Sequence, residues 1–279
     1  MTQLLSTPKK LGYSMPAEWE RHDAVWLAWP HDPITFPSRV EKVEKTYGEI
    51  IKALQGSEKV NLLVKDSTIK NKAQRILEQC SVNPDDIVFH IYDYADVWFR
   101  DYGPIFLVDK KNGGLAMSHW IYNAWGRKYE SLMKDTHIPE FINRNMNIPY
   151  FTPGIVLEGG SIDVNGKGTL LTTEQCLLNR NRNPNLNKYG IEEYLMKYLD
   201  VTKIIWLKNG IEGDDTDGHI DDIARFVNPT TVLCAYEENK SDINHTILHE
   251  NYEILMGSKD QNGNSLNVIK LPMPGVIGD

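Results

Sequence analysis

The sequence predicts an α/β fold in a single domain spanning residues 1–279. Three observations carry this expectation. Segments with helical and strand periodicity alternate along the chain. A unit of hairpin, helix and strand recurs three times. No linker rich in Ser, Gly or Pro and no low-complexity tract interrupts the pattern.

The elements follow in chain order. A helix is expected over 38–55, where Val40, Val43, Tyr47, Ile50, Ile51 and Leu54 share one face. Ser38 and Glu41 have the spacing of a capping box, and Gly56 stands where a helix-ending glycine belongs. A buried-type strand (60–64), a helix (68–79, with Ile69, Ala73, Ile76 and Leu77 aligned) and a strand (87–92) come next. The first hairpin begins at Trp98, turns at Lys111-Asn112-Gly113-Gly114 and returns over 115–120, before a helix near 138–145. The second begins at Val156, turns at Asn165-Gly166-Lys167-Gly168 and returns over 169–172; a helix over 191–199 and a strand over 203–207 complete it. The third begins at Ile220, turns at Asn228-Pro229-Thr230 and returns over 231–236, followed by a helix (243–256) and a strand (267–271). These turn residues are the ones hairpins demand. The copies share little identity, so the repeat is one of topology.

Each hairpin opens on polar residues: Asp96 through Pro104, Leu157-Glu158-Gly159-Gly160, and Gly213 through Asp222. Repeats arranged about an axis would bring Asp101, Glu158, His219 and Asp221 into one pocket. Convergent carboxylates repel unless they hold a cation or share protons. Taken alone, Arg100 and Asp101 read as a surface ion pair and Trp98 as core packing, whereas Glu158 reads equally as a strand end or as a residue with a role, since an acid after Ile155-Val156-Leu157 is odd for a plain strand. His219, with acidic neighbours, reads as a tuned acid or base. The acidic run is no EF-hand loop, because aligning Gly218 with the loop glycine puts Gly213 and Ala224 at ligand positions. His219, Asp221 and Asp222 leave a metal-dependent hydrolase open as a rival, although no zinc-type spacing supports it and no metal is expected. Gly166 and Gly168 precede strand-like residues rather than a helix, so no dinucleotide loop and no cofactor is expected.

The net charge of -8 argues against nucleic-acid binding and suits a small cationic ligand. Three widely spaced cysteines (Cys80, Cys176 and Cys234) form neither a zinc knuckle nor a disulfide framework. No apolar run has the length of a membrane span, and the opening residues have none of signal-peptide length. A cytoplasmic protein is expected.

Several blocks together carry a specific resemblance. Trp98-Phe99-Arg100-Asp101-Tyr102-Gly103-Pro104, Leu157-Glu158-Gly159-Gly160 and Asp214 through Asp222 are joined by Met15-Pro16-Ala17-Glu18-Trp19-Glu20, Trp26-Leu27-Ala28-Trp29-Pro30, Asn123-Ala124-Trp125-Gly126 and Leu178-Asn179-Arg180-Asn181-Arg182-Asn183-Pro184. In this order they resemble the agmatine deiminases, a family that includes the Porphyromonas-type peptidylarginine deiminases. The resemblance implies an α/β propeller of five-fold pseudosymmetry (the pentein fold) with a central funnel-shaped site. It implies hydrolysis of agmatine to N-carbamoylputrescine and ammonia, a step of putrescine and polyamine biosynthesis. Asp101 and Asp221 would grip the guanidinium, with Glu158 in the same cluster. His219 would be the general acid and base, Asp215 would meet the distal amine, and Trp98 would face the cation. The family's cysteine nucleophile, which forms a covalent amidino-cysteine, lies after a glycine-rich block that has no counterpart up to Asp279. These 279 residues are therefore expected to lack the last module and to be inactive alone. Exposed module edges would favour a homo-oligomer. The alternatives are a binding protein for guanidine or polyamine cations and, less favoured, a peptidylarginine deiminase.

Overall fold

Four small sheets organise residues 6–275, which the computed structural model describes. The expectations that fall on residues 1–5 and 276–279 lie outside the described residues. The chain enters through β1 (Tyr13–Ser14) and then lays down β2 (Ala24–Ala28), α1 (Val40–Leu54), β3 (Lys59–Val64), α2 (Ser67–Gln79) and β4 (Ile87–Ile91). β2, β3 and β4 form a parallel sheet in that order. Parallel neighbours need a crossover, and α1 and α2 supply it. Val60, Leu62 and Val64 of the central strand pack against Ile51 of α1 and Ala73 and Leu77 of α2. The expected capping box does not form: Ser38 takes a left-handed φ of 57°, and Arg39 holds the N-cap without a side-chain bond. Asp66 does cap α2, accepting from the Ile69 amide at 2.8 Å.

The remaining sheets obey one rule. α3 (Phe99–Tyr102), β5 (Ile105–Asp109), β6 (Leu115–Ser118), α4 (Ala124–Arg127), α5 (Ile138–Met146) and β7 (Tyr150–Phe151) come first. β5 and β6 are an antiparallel hairpin, β7 returns parallel to β6, and β1 borders β5. β8 (Asp163–Val164), β9 (Thr169–Thr173), α6 (Glu174–Leu177), α7 (Lys188–Leu199) and β10 (Lys203–Leu207) repeat the scheme. β11 (Ala224–Asn228), β12 (Thr231–Tyr236), α8 (His245–Gly257) and β13 (Asn267–Pro272) repeat it again. The three hairpin–helix–strand units expected from the sequence are all present. Buried apolar residues gather in four clusters, drawn largely from the sheets and the helices that cross them.

The heads of the hairpins differ from expectation. Each first strand is preceded by a short helical turn: α3, a 3-10 turn at Gly159–Ser161 and another at Ile220–Asp222. The polar residues therefore sit on these turns or cap them, as Glu158 and His219 do, and not on strands. No helix among the described residues is long and apolar enough to cross a membrane.

Candidate active site

The three head turns meet around Gly160. A Cβ placed there would stand 2.5 Å from His219 Nδ1, 2.7 Å from Asp101 Oδ1 and 2.8 Å from Asp221 Oδ2. Gly159 lies equally tight against the Arg100 carbonyl, so neither glycine accepts a side chain. The Gly160 amide donates to Asp101 Oδ1 at 3.2 Å, and Trp125 Nε1 donates to Asp101 Oδ2 at 3.1 Å. His219 Nδ1 is 3.6 Å from Asp101 Oδ1 and 3.9 Å from Asp221 Oδ1. Sequence repeats thus bring Asp101, His219 and Asp221 to one point. Asp101 is 7% exposed, so the surface ion pair with Arg100 does not exist. Arg100 turns away to a two-pronged bond with Glu18, at 2.6 and 2.9 Å.

Burial and crowding set the charges. Burial raises the Asp101 carboxyl to about 8, and the nearby Asp221 and Glu158 carboxylates add to the rise. Burial, with Asp222 adjacent, raises Asp221 to about 6. His219, 2% exposed, is lowered to about 3, by burial first and then by the Arg182 guanidinium. At neutral pH the empty site therefore holds a neutral imidazole beside a carboxyl that keeps its proton. A planar cation seated between Asp101 and Asp221 would reverse the balance at Asp101 by favouring its charged form.

Behind His219 lies Glu158, fully buried, accepting from Arg182 Nε at 2.9 Å. Burial raises Glu158, and Arg182 pulls it back down. Glu158 Oε2 and His219 Nε2 are buried and have no hydrogen-bond partner among the described residues. One oxygen of Glu158, one ring nitrogen of His219 and Cys176 Sγ lie within 4.8 Å of one another. These three are a potential metal-ligand set, but the Arg182 charge on Glu158 opposes a cation there. The set His219, Asp221 and Asp222 is not assembled, since Asp222 is exposed and no ion pair joins it to His219 among the described residues.

A second acidic point lies toward the surface. Asp215 is exposed and accepts from Tyr129 Oη at 2.7 Å. Aromatic rings bridge it to the buried cluster: Tyr129 meets Trp125 edge-on at 5.8 Å, and Trp125 meets Trp98 edge-on at the same distance. Trp98 is 41% exposed, contrary to the core packing its type alone favours. Its indole N–H is held by Asp96 Oδ2 at 2.9 Å. Trp125 reaches Asp101 from an unusual backbone. Ala124, Trp125, Gly126 and Arg127 all have positive φ, from 52° to 86°, so α4 is a left-handed turn. The three that are not glycine cost roughly 1–2 kcal/mol each unless their surroundings hold them. Here the Asn123 side chain accepts from the Gly126 amide at 2.8 Å, and the Asn123 carbonyl accepts from Arg127 at 2.7 Å.

Trp125, Tyr129 and Arg182 are site residues for which the sequence alone suggests no role. Trp125 and Arg182 do sit in blocks that carried the resemblance, whereas nothing around Tyr129 marks it in the sequence. None of the thiols has the setting of a nucleophile. Burial holds Cys176 well above its ordinary range and Cys234 at about 12, and Cys80 lies at the end of α2 with its thiol also raised.

Known proteins resemble this chain over nearly its whole length. The family model described as Porphyromonas-type peptidyl-arginine deiminase matches residues 14–278. An agmatine deiminase of Stutzerimonas stutzeri is 38% identical over 282 residues, covering 99% of this chain and 75% of that protein. One from Medicago truncatula is 35% identical over 289 residues, with the same coverage of 99% and 75%. Among solved structures, the agmatine deiminase of Enterococcus faecalis superposes with a TM-score of 0.91 at 33% identity, over 98% of this chain and 74% of that one. A C. jejuni agmatine deiminase solved with substrate bound superposes with a TM-score of 0.83 at 31% identity, over 96% of this chain and 76% of that one. With a match over nearly its whole length and relatives above 30% identity, the chain belongs to the Porphyromonas-type peptidyl-arginine deiminase family, alongside the agmatine deiminases.

Proposed function

We infer that the protein serves the hydrolytic deimination of agmatine, in which agmatine and water give N-carbamoylputrescine and ammonia. The observation that carries this reading is the convergence of Asp101, Asp221 and His219 on Gly160, with a third carboxylate, Asp215, at the far end of an aromatic path. Agmatine is a guanidinium and an ammonium joined by a short apolar chain. Asp101 and Asp221 suit the guanidinium, Trp98 and Trp125 suit the chain, and Asp215 suits the ammonium. A peptidylarginine would present a neutral amide where Asp215 stands, so the acidic mouth favours agmatine. The four sheets fit modules of a five-fold α/β propeller, with the head turns around its axis.

In this reading the two carboxylates hold the guanidinium and oppose delocalisation away from its carbon. His219, neutral in the empty site, takes the proton of the attacking group and delivers it to the departing ammonia. Water then adds, His219 accepts its proton, and the carbamoyl product leaves. Glu158 stands behind His219 and steadies the imidazolium when it forms. The resemblance calls for a thiolate as the attacking group, and Cys176 and Cys234 are too buried and too weakly acidic to supply it.

Calorimetric titration with agmatine tests the reading. Agmatine should bind, putrescine should bind far more weakly, and Asp101→Asn should abolish the difference. Equal affinity for agmatine and putrescine would overturn guanidinium recognition. Any ammonia release measured in parallel should survive Cys176→Ser and Cys234→Ser; its loss in either variant would place the nucleophile at that thiol.

A further inference from the structure

Two loops and one buried guanidinium fix the separation between the ends of the site. The loop 214–218 carries Asp215 at its exposed side and leads directly into His219. It is closed on itself by Asp214, which accepts from Thr216 N at 2.7 Å, Thr216 Oγ1 at 2.6 Å and Gly218 N at 2.6 Å. Asp217, at a left-handed φ of 66°, points back into the protein and pairs with Arg182 Nη1. The Arg182 side chain is wholly buried and uses its fork fully: Nε on Glu158, Nη1 also on Asn181 Oδ1 at 2.9 Å, and Nη2 on the Thr216 carbonyl at 2.8 Å. From the other side, Lys128 Nζ donates to the Asp215 carbonyl at 2.6 Å and to Asp217 Oδ1 at 2.7 Å. Lys128 directly follows the left-handed turn that aims Trp125 at Asp101, and it precedes Tyr129, which holds the Asp215 carboxylate.

These bonds form one continuous strut. At its inner end Arg182 holds Glu158 behind His219; at its outer end Lys128 and Asp217 hold the backbone of Asp215. We propose that Asp217, clamped between Arg182 and Lys128, is a positioning residue that sets the distance from the Asp101–Asp221 pair to Asp215 and so selects the length of the ω-aminoalkyl chain on the guanidine. This rests on agmatine-type recognition as read above. Asp217 touches no ligand in this account; it acts by making the far carboxylate a fixed point instead of a swinging one. A fixed point rewards one chain length, because the other lengths leave the ammonium or the guanidinium unpaired.

The test is calorimetry with four ligands: agmatine, its homologues one methylene shorter and longer, and butylguanidine, which has no distal amine. Wild-type protein should prefer agmatine over both homologues by about tenfold or more. Asp217→Asn keeps the side-chain shape but weakens both clamps. It should flatten the preference among the three amines to within about threefold and leave butylguanidine affinity within about twofold. Lys128→Met, which removes the outer clamp alone, should move the same way. Equal loss for butylguanidine and agmatine would show a general collapse of the site and overturn the ruler; unchanged length preference in both variants would overturn it too. Wild-type protein that binds none of the four would overturn agmatine recognition itself, and the ruler with it.

Discussion

Agmatine binding should become tighter as pH rises, because the empty site stores a proton on Asp101. With Asp101 raised to about 8 and Asp221 to about 6, the first is largely protonated at pH 7 and the second largely ionised. A guanidinium bound between them favours both charged forms, so binding must expel the Asp101 proton. Each pH unit below the raised value costs about 1.4 kcal/mol of binding. Between pH 9 and pH 6 the affinity should therefore fall about 100-fold from Asp101, with a further factor of about 2 from Asp221. Agmatine keeps both of its own charges over this range, so the ligand contributes no slope. Titration in two buffers of different ionisation enthalpy reads the proton directly, and close to one should be released per agmatine at pH 7. The same group sets a stability slope. Asp101 ionises near its ordinary value when unfolded and only near 8 when folded, so the folded state holds the extra proton and loses stability as pH rises toward 8. His219, lowered to about 3, works in the opposite direction only below its ordinary range. From pH 6.5 to 8 the melting temperature of ligand-free protein should thus fall, and agmatine should restore it. Affinity that is flat from pH 6 to 9, with no proton exchange, would refute this electrostatic account of Asp101.

Other expectations follow from the same geometry. Gly160→Ala should destabilise the protein by about 1–3 kcal/mol, because its Cβ meets His219, Asp101 and Asp221, and should abolish agmatine binding; calorimetry and thermal melts read both. Asp101→Asn should abolish binding and lower the melting temperature, because both Asp101 oxygens accept from buried N–H groups of Gly160 and Trp125 and an amide can accept from only one of them. In a thiol-reagent assay, Cys176 and Cys234 should stay unreactive until the protein unfolds, with Cys80 the first to react.

Much of this architecture was legible because it is local. The strand Lys203–Leu207 has the expected limits, and the three hairpins turn where Asn, Gly and Pro place them. The grouping of Asp101, His219 and Asp221 followed from position within repeats, an argument that needs no side-chain detail. What stayed hidden depends on partners distant in sequence. Ser38 and Glu41 have capping-box spacing, yet the chain enters α1 through a left-handed Ser38. The left-handed turn at Ala124–Arg127 runs against local preference and persists within bonds that include Trp125 to Asp101, 24 residues away. Arg182 sits in an Asn-rich stretch where nothing local marks it for burial; its pairing with Glu158 and Asp217 explains a fully buried guanidinium.

The most direct measurement is a crystal structure of this chain with agmatine bound at pH 8. The guanidinium should lie between Asp101 and Asp221, with His219 against it and the ammonium at Asp215 beside Tyr129. Agmatine bound elsewhere, with Asp101 and Asp221 too far apart to share one guanidinium, would contradict it.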